Sequence, residues 1–132
     1  MDETNAKNIL CVEDEPEMVD LIRLILARRG FNVQGASGGV EGIRLIREKH
    51  PDLVLLDLMM PDMDGFEVLR LLRAGRETGH IPIIACTAYR DSAIERRIAE
   101  EAFDGHIRKP LKLDELLRRI RESLERGEHA AP

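Results

Sequence analysis

The run Leu53-Val54-Leu55-Leu56 constrains this chain more than any other feature. It is short and continuously apolar, with Pro51-Asp52 before it and the loop-forming Leu58-Met59-Met60-Pro61-Asp62-Met63-Asp64-Gly65 beyond Asp57. A strand with one wet face alternates apolar and polar residues. An unbroken run signals a strand covered on both faces, as in parallel sheets flanked by helices. Asp57 closes that strand, and a carboxylate at the C-terminal end of a buried strand sits where open α/β sheets place their chemistry.

The rest of the chain alternates in the same style. Strands are expected over 8–12, 31–34, 52–57, 81–86 and 105–108. Between them lie amphipathic stretches. Pro16 suits a first helical turn, and Met18, Leu21, Ile22, Ile25 and Leu26 follow at helical spacing up to Gly30, a natural C-cap. Ser37 is a candidate cap for a helix through residue 50 with Val40, Ile43 and Ile46 on one face. Gly65 precedes a helix carrying Phe66, Leu69 and Leu72 that ends near Gly75. A helix over 92–103 is thin in apolar bulk, and Leu113, Leu116, Leu117, Ile120 and Leu124 mark a strong terminal helix. Five strands alternating with five helices predict a parallel sheet with helices on both faces. The chain of 132 residues accommodates one domain, over 7–126, with 1–6 and 127–132 expected to lack structure.

Composition narrows the function. A net charge of −5 with 34% charged residues describes a mixed-charge surface. The basic clusters at Arg28-Arg29, Arg96-Arg97 and 118–121 fall on helices interleaved with Glu, as solvated helix faces do, so no direct nucleic-acid contact is expected. No apolar run is long enough for a membrane span and the N-terminus lacks the apolar core of a secretory signal, which suggests a cytoplasmic protein. Cys11 and Cys86 fall in expected strands. If those strands flank a third, the two lie about 10 Å apart, beyond disulfide reach.

Four strand-like runs end in polar residues: Glu13-Asp14, Asp57, Thr87 and Lys109. In a parallel sheet all four ends meet on one edge. Three carboxylates in one crevice repel unless a cation sits among them, and Mg²⁺ is expected because it prefers hard oxygen ligands. His and Cys are absent from these ends, which argues against zinc. With the metal present, Asp57 can attack a phosphoryl group in line, while Lys109 and Thr87 stabilise its oxygens.

Val12-Glu13-Asp14-Glu15, the stretch 55–65 around Asp57, Ala85-Cys86-Thr87-Ala88 and Ile107-Arg108-Lys109-Pro110 together resemble the receiver domain of bacterial two-component response regulators. The resemblance spans roughly 7–126. It implies a flavodoxin-like (βα)5 fold with strand order 2-1-3-4-5. It also implies that Asp57 accepts a phosphoryl group from a sensor histidine kinase or a histidine phosphotransfer protein. Asp14 and Asp57 would bind Mg²⁺ directly with the Met59 backbone carbonyl, Glu13 would act through water, and Lys109–Pro110 would be cis. The surface 92–108 and the terminal helix would carry the signal to a protein partner, in the manner of a stand-alone receiver.

Three features depart from the family or modulate it. His106 occupies the position, three residues before the Lys, where receivers usually carry Tyr or Phe as the rotating partner of the Thr. Met59 and Tyr89 flank access to Asp57 with bulky uncharged groups, which suggests slow loss of the phosphoryl group. The segment 102–106 lacks the paired Asp that often accompanies winged-helix transcription regulators.

Other readings are a receiver module excised from a larger protein, a receiver that binds partners without phosphorylation, and a phosphohydrolase of the haloacid-dehalogenase type. The last places its nucleophile on the first strand with a second Asp two residues on, whereas Asp57 falls on the third and is followed by Met59.

Overall fold

The computed structural model describes residues 6–89 and 91–130, with side chains described up to residue 126. The elements are β1 (Asn8–Val12), α1 (Pro16–Ala27), β2 (Asn32–Ala36), α2 (Gly39–Lys49), β3 (Leu53–Asp57), α3 (Gly65–Ala74), β4 (Ile83–Thr87), α4 (Ser92–Glu100), β5 (Gly105–Arg108) and α5 (Leu113–Ala130). All strand pairings are parallel, and the sheet order is β2-β1-β3-β4-β5. The expected doubly wound architecture is therefore present. No helix among the described residues is long and apolar enough to cross a membrane.

The sheet divides the core into two layers. Ile9, Cys11, Leu53, Leu55, Ile84 and Ile107 pack with α1 and α5. Leu10, Val12, Val54, Leu56 and Ile83 face α2 and α3 on the other side. Every residue of β3 and β4 is buried, which explains their unbroken apolar character. Cys11 and Cys86 are free buried thiols on β1 and β4, with β3 between them.

Helix ends follow local chemistry with one exception. Pro16 opens α1. Beyond its end, Gly30 N–H donates to the Ala27 carbonyl and Phe31 N–H to that of Leu26. This is a Schellman pattern, with Gly30 at φ 88° in the conformation glycine tolerates. Asp64 caps α3 by accepting from Glu67 N–H at 2.9 Å. α2 is the exception. Its N-cap residue is Gly38, and the Ser37 hydroxyl donates instead to Glu41 at 2.6 Å, so Ser37 is not the cap.

Several expected boundaries shift. β2 covers 32–36, β3 begins at Leu53, β4 covers 83–87, and α4 ends at Glu100. Two helix faces are also rotated. Leu21 is 51% and Val40 is 62% exposed, and their places inside are taken by Val19 and Leu45. In α2 the first buried turn is glycine, which lets the helix start close to neighbouring chain and turns Val40 outward. The helix continues past Gly127 to Ala130, where the sequence suggested that structure ends, and residues 1–5 and 131–132 lie outside the described residues.

Truncating Leu56 to Ala is expected to cost about 2–5 kcal/mol in urea unfolding, because its fully buried side chain leaves a cavity. Val40→Thr should stay within about 0.5 kcal/mol of the parent protein.

Candidate functional site

The four polar strand ends meet at the C-terminal edge of the sheet. β1 runs into Glu13 and Asp14, β3 ends on Asp57, β4 ends on Thr87 and Lys109 follows β5. Backbone bonds fix these ends: Glu13 N–H donates to Ala36, Leu58 N–H to Cys86 and Lys109 N–H to the Thr87 carbonyl. The Lys109–Pro110 bond is cis.

Glu13, Asp14 and Asp57 each offer a carboxylate oxygen, and these lie within 4.8 Å of one another. Glu13 and Asp57 are buried, at 3% and 5% exposure, and Asp14 is half-buried. Lys109 Nζ donates to Glu13 Oε1 at 2.6 Å and stands 3.6 Å from Asp57 Oδ2. The ammonium thus favours Glu13 over Asp57, a preference that sequence reasoning missed because the pair is 96 residues apart.

Charge balance follows from that preference. Burial, reinforced by Glu13, pushes the Asp57 carboxyl up to about 7. Burial acts on Glu13 in the same sense, but the Lys109 ammonium and Asp57 outweigh it and hold Glu13 below its ordinary range. Burial disfavours the charged Lys109, yet the two carboxylates raise its pKa overall. Two buried carboxylates thus share one cation, and the remaining deficit falls on Asp57.

The donors suit a hard divalent cation: carboxylate oxygens from three residues and too little positive charge. Burial keeps the Cys11 and Cys86 thiols protonated, so neither offers a soft ligand.

The remaining candidates sit around this cluster. Thr87 is buried, and its hydroxyl oxygen accepts from Tyr89 N–H at 2.9 Å, which leaves its own proton to donate. Met59 N–H donates to Asp57 Oδ1 at 3.1 Å, while the Met59 side chain is 52% exposed. Tyr89 is partly buried. His106, on β5 opposite Ala85, is partly buried and borders an open cleft of roughly 400 Å³ with Glu95, Arg108 and Arg119. Arg108 is ion-paired with Glu95 of α4, a link between β5 and α4 that no sequence motif announced.

A doubly wound parallel sheet that brings three acidic groups, a hydroxyl and a lysine to one edge is the arrangement of receiver domains of two-component signalling. The comparisons with known proteins make this specific. A family model, the response regulator receiver domain, matches residues 9–121, and the chain belongs to that family. The polar-differentiation response regulator DivK of Brucella ovis is 33% identical over 119 residues, covering 90% of this chain and 97% of DivK. The DNA-binding response regulator MtrA of Mycolicibacterium smegmatis is 37% identical over 126 residues, covering 96% of this chain and 54% of MtrA. The chain thus spans about half the length of the MtrA-type relatives it matches. Among solved structures, a CheY-like receiver domain protein from Methanospirillum hungatei superposes with a TM-score of 0.88 at 29% identity, covering 96% of this chain and all of that one. The receiver domain of a sensor histidine kinase from Pseudomonas aeruginosa, with a magnesium ion coordinated in its active site cleft, matches with a TM-score of 0.84 at 28% identity, covering 91% of this chain and 98% of that one.

The shifted groups set a pH dependence. A folded-state pKa raised from 3.8 to about 7 means that folded Asp57 binds a proton the unfolded chain releases. Without divalent metal, stability should therefore fall as pH rises from about 4 through 7. Glu13 works in the opposite sense, and its contribution is lost as pH falls below 4.5. Asp57→Asn should remove the fall and raise stability at pH 8 by on the order of 2 kcal/mol, read by urea titration with chelator present.

Proposed function

We propose that this receiver domain is a phosphorylation-operated switch in which Asp57 accepts a phosphoryl group from a sensor histidine kinase or a histidine phosphotransfer protein. The observation that carries the reading is the state of Asp57. It is a buried carboxylate at a strand end, raised to about 7, with Glu13 and Asp14 beside it and Lys109 Nζ at 3.6 Å. A purely structural acid in that position would have a cation to itself; this one shares Lys109 with Glu13, which holds it more closely.

Glu13, Asp14 and Asp57, with the Met59 backbone carbonyl, would hold Mg²⁺, whose charge would neutralise the cluster and the oxygens of the incoming phosphoryl group. Asp14 and Asp57 would bind it directly and Glu13 would act through water, as the resemblance implies. The Asp57 carboxylate oxygen forms the new P–O bond as the donor's P–N bond breaks, and the departing imidazole takes up a proton. Lys109 passes from Glu13 toward a phosphoryl oxygen, and the Thr87 hydroxyl donates to another. The movement of Thr87 opens room that His106 rotates to fill. β5 and α4 then adjust together, since Arg108 and Glu95 tie them. α4 buries only Ile98, so few contacts resist its movement.

The readout is a protein partner engaged through residues 92–108 and α5, without direct contact to nucleic acid. The likeness to DivK over nearly the whole of that protein supports a readout by protein contacts.

With a small phosphoryl donor such as acetyl phosphate and Mg²⁺, intact mass should increase by one phosphoryl group, removable by hydroxylamine as expected of an acyl phosphate. Asp57→Ala should show no increase. A parent protein that stays unmodified at saturating donor and metal would sink the proposal. Met59 and Tyr89 offer no charged group to orient water, so the acyl phosphate should be long-lived. Met59→Asn should shorten its lifetime by roughly tenfold, and equal lifetimes would remove Met59 from the account.

A further inference from the structure

The loop between β3 and α3 carries Met59 beside the acidic site and turns its residues alternately to the core and to solvent. Leu58 and Met60 turn inward, but Met59, Pro61 and Asp62 are exposed. Asp62 resembles an ordinary turn residue in sequence. In the structure it reaches across to α2. Gly39 N–H donates to its Oδ1 and Val40 N–H to its Oδ2, each at 3.1 Å. Both carboxylate oxygens are engaged by amides at the positive end of a helix, so the orientation of the group is fixed as well as its place.

The glycines opposite are part of the same arrangement. A Cβ on Gly38 would stand 2.8 Å from Asp62 Oδ1 and 2.9 Å from Oδ2. On Gly39 it would stand 2.8 Å from Met63 Cβ and 3.0 Å from Val68 Cγ2. Gly38 has φ −176°, an extended conformation any residue adopts, so glycine serves there for space alone. α2 has no side-chain cap of its own, because Ser37 is occupied with Glu41. The cap arrives from the phosphorylation-site loop instead.

We propose that Asp62 is a positioning residue for the acidic site. Docked on the first amides of α2, it holds the β3–α3 loop so that the Met59 carbonyl stays within reach of Glu13, Asp14 and Asp57. Among the described residues, the two Asp62 bonds are the side-chain hydrogen bonds that join residues 59–63 to a different element. The one other side-chain bond of that stretch runs from Met59 N–H back to Asp57 Oδ1. The Met59 backbone is thereby bracketed by two fixed carboxylates, one on each side in sequence. The inference rests on the proposed Mg²⁺-dependent phosphorylation.

The test is a Mg²⁺ titration followed by amide NMR, with hydrogen exchange measured on the same samples, for the parent protein, D62A, D62N and G38A. In D62A the Gly39 and Val40 amides should exchange faster, and the Mg²⁺ dissociation constant should rise on the order of tenfold. D62N should recover part of the affinity, since its carbonyl oxygen still accepts from one amide. G38A leaves Asp62 in the chain but pushes it out of its seat, so it should reproduce the D62A defect, and the double variant should be no worse than either. Saturating Mg²⁺ should restore phosphorylation by acetyl phosphate to within about twofold of the parent rate. D62A binding Mg²⁺ like the parent while Gly39 and Val40 exchange faster would reduce Asp62 to a cap for α2 and overturn the proposal. Unchanged exchange, or a rate that saturating metal does not restore, would overturn it as well. A parent protein whose amides near Glu13, Asp14 and Asp57 ignore Mg²⁺ would refute the phosphorylation reading itself.

Discussion

The structure depends on a charge imbalance that the sheet builds and cannot relieve. Parallel topology delivers Glu13, Asp14 and Asp57 to one edge, and the cis Lys109–Pro110 segment follows β5 with a single ammonium. Lys109 bonds Glu13 at 2.6 Å and stands off from Asp57 at 3.6 Å. Asp57 is left buried with its charge poorly matched, and burial drives its pKa up. Such a site attracts a divalent cation and, once that charge is supplied, an anionic group.

The fold serves this imbalance by holding each participant from behind. β3 and β4 are buried along their whole lengths, so Asp57 and Thr87 sit on a rigid base. The loop after β3 is held by the buried Leu58 and Met60 and by the Asp62 carboxylate on the amides of α2. Packing is sparer on the opposite flank, where α4 buries only Ile98 and meets β5 through Arg108 and Glu95. A firm site beside a loosely packed helix is what a chemical signal needs if it is to become a change of surface.

Much of this was legible in the sequence because it is written in local patterns. Continuous apolar runs marked the strands to within about two residues, and alternation with amphipathic stretches gave a parallel sheet. Asp57, Thr87, Lys109 and the Glu13-Asp14 pair stood out because parallel topology sends all strand ends to one edge. What escaped depends on distance or on rotation. Helical spacing placed Leu21 and Val40 with the core residues, yet where a helix meets its sheet is set by tertiary packing, and both point outward. Ser37 looked like the cap of α2, but Glu41 captures it and Asp62 replaces it from 23 residues away. Nothing in composition separates Asp62 from Asp52, whose carboxylate accepts from Asn8 N–H at the other end of the sheet. The Lys109–Glu13 pairing was hidden likewise, since the sequence brings both residues to the edge without saying which carboxylate wins the ammonium.

Amide NMR of the protein with Mg²⁺, before and after adding beryllium fluoride, would show whether the acidic site drives a switch, because this stable acyl-phosphate mimic needs no kinase and reports site and switch together. Shifts are expected at Glu13, Asp14 and Asp57 that spread through Thr87 to residues 92–108, with His106 among them. Spectra that do not respond, or a response that stops at the acidic cluster, would contradict such a switch.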